Sequence, residues 1–549
     1  MGPTSRRRTL AVVALLAAAT TACSSGTAGP AAAGAGDAAG AAPVTGGTLT
    51  FALHGDTDCL DPHLTGSSVS SWIGRNNLDS LVGQAVDNKI TPWLAKSWEV
   101  SADGLSYTFH LRDGVTFTDG TPLDAAAVKA NLDLVADPAT KSSYARSLLG
   151  SYTGSEVTDP ATLTVKLSAP FTSFLQGLST PFLGIASPTF LKAHPADSCT
   201  TGLVGSGPFK LDTYTRGQGV SFSRNTAYAW GPGYAAHTGA AYLDKLELKI
   251  VTESSVRDGG LFSGQFDGVA NVAPSDLTKV SKDPKLQLLK HENPGVNHVL
   301  LLNTARAPFD NLQVRQAFQS SIDTKATVQS VFFGQTSAAD GLFGKATEYY
   351  DASVQSLWGF DKAKAGSLLD QAGWTARDGE GYRTKDGKRL TVSLVYSDIS
   401  ATAEEQTIFQ AAAQQAKESG FEVKLDKVAA AAESDRQGKG DYDIGALYFV
   451  RAEPDIARTV FAARFTPPAG ANLSRVNDPV LEELLAKGLT LPEGAERAKV
   501  YADVQQRVIG QAYAVPTYVP FGRLGAGKAV HGLAFATNSA PLFYDVWKS

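Results

Sequence analysis

The chain is poor in the residues that announce chemistry. It holds 3 Cys and a single Met in 549 residues. So few cysteines exclude a disulfide-built scaffold and a multi-cysteine metal site. A basic block is also missing: 49 Lys and Arg stand against 54 Asp and Glu, a net charge of -5. That mild acidity argues against nucleic acid as a partner. The 8 His include no H-E-x-x-H and no H-x-H pair, and no G-x-S-x-G elbow occurs. Zinc-protease and serine-hydrolase chemistry therefore lack motif support. Beyond the N-terminal segment no stretch reaches roughly 18 uninterrupted apolar residues, so no spanning helix is expected. What the chain does have is size and apolar content. At about 150 residues per domain its length requires two or more lobes. A hydrophobic share of 43% is enough to fill their cores.

Residues 1–22 read as an export signal. Arg6, Arg7 and Arg8 give a positive patch, and the apolar run Leu10–Ala19 follows. That run is too short for a bilayer span of roughly 20 residues. Thr20, Thr21 and Ala22 then lead to Cys23. A signal ending at a cysteine resembles a bacterial lipobox with Cys23 as the lipidated residue, although Thr20 stands where leucine is preferred. The arginines also resemble a twin-arginine signal, and both export routes stay open. Residues 23–45, rich in Ser, Gly, Ala and Thr, read as a flexible tether. The folded remainder is thus expected on the extracytoplasmic face of a bacterial cell membrane, held by lipid. In that oxidising space Cys59 and Cys199 form an even pair. A disulfide between them would contribute about 3–5 kcal/mol in the chain-entropy model. The alternative is two buried free thiols.

Thr48–Leu53, Leu105–Leu111, Leu163–Leu167 and Leu243–Ile250 alternate in polarity and predict strands. Asp113-Gly114 predicts a hairpin turn from the second of these into Val115 and Phe117. Asp124 is placed to cap a helix through Leu134. Beyond residue 290 the texture changes. Val299–Leu302 is continuously apolar, as in a strand buried on both faces. Helices over Ala363–Ala372 and Ala403–Ser419 each stop at a glycine, Gly373 and Gly420. Helix followed by strand, repeated, predicts an α/β lobe. Gly522–Ala529 nearly fits a P-loop but ends in alanine where a hydroxyl should hold Mg²⁺. Asp56, Asp58 and Asp61 lack EF-hand spacing and read as a polar loop. No cofactor and no metal is expected.

Several segments, in order along the chain, carry a family resemblance. They are Gly46-Gly47-Thr48-Leu49-Thr50 with Leu60-Asp61-Pro62, then Leu94–Val100 with Asp103–Arg112 and Phe117–Leu123, then Val204–Leu211. Pro308-Phe309-Asp310-Asn311 with Val314–Ala317, and Gln371-Ala372-Gly373-Trp374, complete the set. Together they resemble the peptide/nickel-type (family 5) extracellular solute-binding proteins of ABC importers. The resemblance implies an α/β, two-lobed periplasmic-binding-protein-like fold (type II, cluster C-like) with an extra subdomain in lobe I. Residues 46–70, 205–297 and 517–549 would form lobe I, 71–204 the subdomain and 298–516 lobe II. It implies a monomeric receptor, not an enzyme. Such a receptor captures a peptide or peptide-sized solute and hands it to a membrane permease driven by a separate ATPase. A tethered hydrolase and a sensor without transport are the competing readings.

Ligand-facing residues follow from position. The resemblance places His298, at the start of the buried run, beside the cleft. It also turns Tyr448, Phe449 and Arg451 toward the ligand, the aromatics for stacking and Arg451 for an anion. Trp72 would line the cleft from the subdomain. One departure bears on the ligand. Peptide-binding members commonly carry an aspartate just ahead of the acidic-Pro step, where it holds the peptide amine. Here Phe449-Val450-Arg451-Ala452 precedes Glu453-Pro454. Glu453 or Asp455 would have to substitute, and Arg451 favours an anionic feature instead.

Overall fold

The computed structural model describes residues 42–194 and 197–549. The expected signal and Cys23 lie outside them. Three larger sheets organise the described chain. The first has seven strands, in the order Leu286–Glu292, Phe521–Gly527, Gly268–Ala270, Thr48–Leu53, Lys245–Ile250, Gly219–Arg224 and Phe209–Thr215. Thr48–Leu53 runs parallel to both its neighbours, and the outer pairings are antiparallel. The second has five strands, in the order Glu422–Lys427, Thr391–Tyr396, Ile444–Val450, Gly295–Leu302 and Ala514–Pro516. A four-stranded antiparallel sheet, Ala95–Val100, Ser106–Leu111, Thr162–Leu167 and Tyr152–Asp159, builds a separate core beside the first. The result is a mixed α/β molecule of two lobes.

Local sequence explains these elements. In Ser106–Leu111, Tyr107, Phe109 and Leu111 are buried and alternate with half-exposed polar residues. All 8 residues of Gly295–Leu302 are buried, because the strand is flanked on both edges and covered on both faces. Asp124 caps its helix, accepting the Ala127 N–H at 2.9 Å. Helix Ala403–Ser419 starts in a capping box between Thr402 and Glu405 and stops at left-handed Gly420.

One expectation changes. Asp113-Gly114 turns the chain, but no hairpin strand follows. Both edges of Ser106–Leu111 are already taken by Ala95–Val100 and Thr162–Leu167. In keeping with the missing hydroxyl, Gly522–Gly527 of the P-loop-like segment lies in strand Phe521–Gly527, which is paired on both sides, and only Lys528 and Ala529 enter the turn that follows. An extended backbone cannot cradle a phosphate.

Cys59 and Cys199 are disulfide-bonded across 140 residues of sequence. The bridge ties the loop after Thr48–Leu53 to the short helix Ser198–Thr201. Asp56, Asp58 and Asp61 in that loop are used internally. They accept from Tyr214, Thr65 and the His63 amide respectively.

The chain crosses between the lobes at Asn293-Pro294 and returns through Thr517–Pro520. The crossings bond to each other: the Asn293 N–H donates to the Pro520 carbonyl at 3.0 Å and the His298 N–H to that of Tyr518 at 3.1 Å. Away from these crossings the lobes also touch. Thr172 donates from its amide to the Leu489 carbonyl at 3.2 Å and from its hydroxyl to that of Leu491 at 2.7 Å.

Candidate functional site

A cavity of about 610 Å³ lies between the lobes, within the range of small-molecule sites. Its floor comes from the crossing strands, through Asn293, Tyr518, Phe521 and Arg523. Arg523 projects from the second strand of the seven-stranded sheet, next to its edge, on the same face as Phe521, whose ring lies 5.1 Å from its guanidinium. Its Nε and Nη1 are buried and have no hydrogen-bond partner among the described residues. Burial pulls its pKa down, opposed chiefly by Glu404.

The first lobe contributes His54 and Trp72. His54 follows the end of strand Thr48–Leu53, and its ring lies 5.1 Å from that of Trp72. Burial, then Arg257 and Arg523, lower its pKa to about 4, so it is neutral near pH 7. Trp72 sits on helix Ser68–Gly74, whose cap is Ser67. Its indole Nε1 is buried without an acceptor, as is the Ser71 hydroxyl beside it.

The second lobe contributes the end of strand Ile444–Val450. Gly295 lets this strand sit close to its neighbour: its φ is 114°, and a Cβ there would collide with the Phe449 carbonyl. Tyr448 is 42% exposed and borders the cavity. Arg451 reaches across the cleft and donates from Nε to Gln176 Oε1 at 3.0 Å. Its Nη2 is buried with no hydrogen-bond partner among the described residues. Glu404 and Glu405 enter from the first turn of helix Ala403–Ser419. Glu405 is committed, accepting from the Thr402 amide and the Tyr518 hydroxyl, both at 2.7 Å. Glu404 accepts no hydrogen bond among the described residues.

The structure therefore brings Trp72 from one lobe and Tyr448, Phe449 and Arg451 from the other to one cavity. His298 is placed elsewhere. It is 2% exposed, stacks 4.9 Å from the Tyr518 ring and bonds Thr517 Oγ1 at 2.6 Å. Burial lowers its pKa. It sits one layer behind the wall and holds Tyr518 in place. Glu453 and Asp455 are not free to take an amine either. Glu453 is paired with buried Arg497, and Asp455 with Arg458 at 2.6 Å. Sequence reasoning missed Arg523, His54 and Glu404. An arginine within a short strand of glycine and small apolar residues was the available signal for Arg523.

Two lobes, bonded crossings and an enclosed cavity with unpaired polar atoms define a two-lobed solute-binding protein. The model for "Bacterial extracellular solute-binding proteins, family 5 Middle" matches residues 89–462, and the chain belongs to that family. The glutathione-binding protein GsiB of Escherichia coli (strain K12) is 28% identical over 482 residues, covering 86% of this chain and 88% of that protein. Among solved structures, NikA from Brucella suis in complex with Fe(III)-EDTA is 26% identical, with a TM-score of 0.80 over 92% of this chain and 100% of that one. AgaA from A. tumefaciens R10 in complex with agropinic acid is 27% identical, with a TM-score of 0.76 over 92% and 99%.

Proposed function

We propose that this family 5 substrate-binding protein captures an acidic, peptide-sized organic solute and delivers it to an ABC permease with a separate ATPase. In this reading it works as a monomer on the extracytoplasmic face of the membrane, anchored through lipidated Cys23. The observation that carries the ligand class is the set of unpaired cationic donors, Arg523 Nε and Nη1 and Arg451 Nη2. Buried charged donors are left without acceptors only at a heavy energetic cost, so an anion belongs there. One acidic group at Arg523 and another at Arg451 would bridge the lobes. Glu404 would take an ammonium, and Tyr448 and Phe449 would cover an apolar stretch. Ligand contacts made to both lobes stabilise the closed form, which a permease can distinguish from the open one. Glutathione, acidic dipeptides and opine-like acids fit this pattern, in keeping with the names of the relatives.

Native mass spectrometry of protein purified without denaturation tests the reading. An intact acidic solute, displaced by titration with glutathione or an acidic dipeptide, is the expected result. A neutral or cationic ligand would overturn the ligand class, and a recovered cleavage product would favour the hydrolase. Acyl labelling lost on Cys23→Ser is the expected sign of the anchor.

A further inference from the structure

A second chamber of about 200 Å³ adjoins the cleft. It lies where two cores meet: Phe543 belongs to the core of the seven-stranded sheet, Tyr228 to that of the four-stranded sheet, and Tyr544 packs against both. Its walls are mainly aromatic and apolar, and the one carboxylate on them, Asp545, is held by His237 Nδ1 at 2.7 Å. Trp93 and Tyr234 stand edge-on with centroids 6.2 Å apart. Polar ends are tied down elsewhere: Trp93 Nε1 donates to the Tyr228 hydroxyl at 3.3 Å, Tyr228 to Asp79 at 3.1 Å and Tyr544 to the Gly239 carbonyl at 2.6 Å. The rings are thus fixed with apolar surface left toward the chamber.

Arg75, Gln84 and Tyr234 line both spaces, so the chamber adjoins the cleft along these three side chains. The Arg75 guanidinium lies 4.7 Å over the Trp93 ring and donates to Ser80 Oγ and the Ser179 carbonyl. It makes no ion pair among the described residues. The opposite rim carries Val86 and Ala534, both exposed.

We infer that this chamber is a side pocket of the ligand site and takes an aromatic or branched apolar group of the captured solute, with an acidic or carbonyl group of that solute at Arg75. The inference rests on the cleft being the ligand site. An apolar cavity of about 150 Å³ holds a benzene, so a phenyl or indole group fits. Ring faces and edges on all sides supply the contacts such a group uses. The solute class this defines is an acid with one apolar arm.

Indole and phenylacetate are the probes, titrated by calorimetry into the wild type and into Ala85→Trp and Ala534→Trp, two variants that fill the chamber from different sides. Thermal melting reports that each variant is folded. Saturable binding of one indole per chain is expected, weakened about tenfold or more in both filled variants. Phenylacetate should bind more tightly than indole, and Arg75→Gln should erase that preference. Absence of saturable binding by either probe overturns the inference, as does binding that both filled variants leave unchanged. Indole binding with no preference for phenylacetate identifies an independent apolar site and overturns the link to the captured acid. An intact acidic solute in the cleft of a protein that binds neither probe removes the side pocket and leaves the capture function standing. Probe binding in a protein that never retains an acidic solute does the reverse.

Discussion

Two desolvated arginines, one fully buried in the second lobe and one half-buried on the cleft floor, are solved in opposite ways. Arg497 is 0% exposed and fully engaged. It pairs with Glu453, donates to the Gly488 carbonyl at 2.9 Å and lies 5.1 Å from the Tyr501 ring. Burial acts to lower its pKa, but Glu453 overrides it and the pKa rises. Arg523 has the same desolvation with no carboxylate at contact, and its pKa falls. A guanidinium that the fold has paired serves the fold; one left with two bare nitrogens on a cavity wall is reserved for something that arrives later. The same chemistry is structural in one place and receptive in the other, and the partner decides which.

The largest expected effect breaks the paired site. Glu453→Gln leaves Arg497 buried without its counter-charge and should cost about 3–5 kcal/mol of stability in urea unfolding. A loss below about 1 kcal/mol would mean that the pairing is not what holds Arg497. The complementary change sharpens the contrast. Arg523→Gln should leave the melting temperature unchanged or slightly raised, because an unpaired desolvated charge is removed. It should weaken binding of the co-purified solute by about 2–5 kcal/mol, the range for deleting one partner of a buried charged contact. Equal destabilisation by both variants would erase the distinction.

Arg451 is intermediate, half engaged across the cleft and half free. Arg451→Ala should weaken solute binding about tenfold. Gln176→Ala, which removes only the contact between lobes, should cost less. Calorimetry on both variants separates closure from ligand contact, and unchanged affinity in Arg451→Ala takes this residue out of the ligand set.

These differences also mark what the sequence could reveal. The two-lobed fold was legible from the chain's length and the ordered family segments, and single elements from local signals such as the alternation at Tyr107, Phe109 and Leu111 and the helix stop at Gly420. The disulfide partners were legible because only two cysteines remain once Cys23 is set aside. Tyr448, Phe449 and Arg451 could be placed because the family resemblance turns the segment after Ile444–Leu447 toward the ligand. His298 could not be oriented. Its strand is buried on both faces, so alternation carries no information, and the register shifts between Val296 and Val299. Arg523 was hidden for another reason. It comes from the far C-terminal end and reaches the cleft only because strand Phe521–Gly527 inserts between strands laid down far earlier. That placement is topology, which no local pattern encodes.

The smallest expected effect reads the bare charge of Arg523 through its neighbour. His54 has a folded pKa near 4 against an ordinary 6.5, from burial first and then from Arg257 and Arg523. As pH falls below 6.5 the unfolded chain takes up a proton at His54 that the folded chain refuses. The unfolded state then binds more protons, so stability falls between pH 6.5 and about 4 and levels off below. His54→Gln should remove about 1 kcal/mol of the loss between pH 7 and pH 5, a value reduced from the full shift because the ring is partly exposed. Arg523→Gln should make the same slope shallower, since one of the charges holding His54 neutral is gone. An acidic solute seated on Arg523 neutralises that charge too. Binding should therefore be accompanied by proton uptake at pH 5 that is absent at pH 8, measured by calorimetry in buffers of different ionisation heat. A slope that Arg523→Gln and the solute both leave unaltered would mean that His54 is held neutral by burial and Arg257 alone, and that Arg523 is less exposed to the cavity's chemistry than its bare nitrogens indicate.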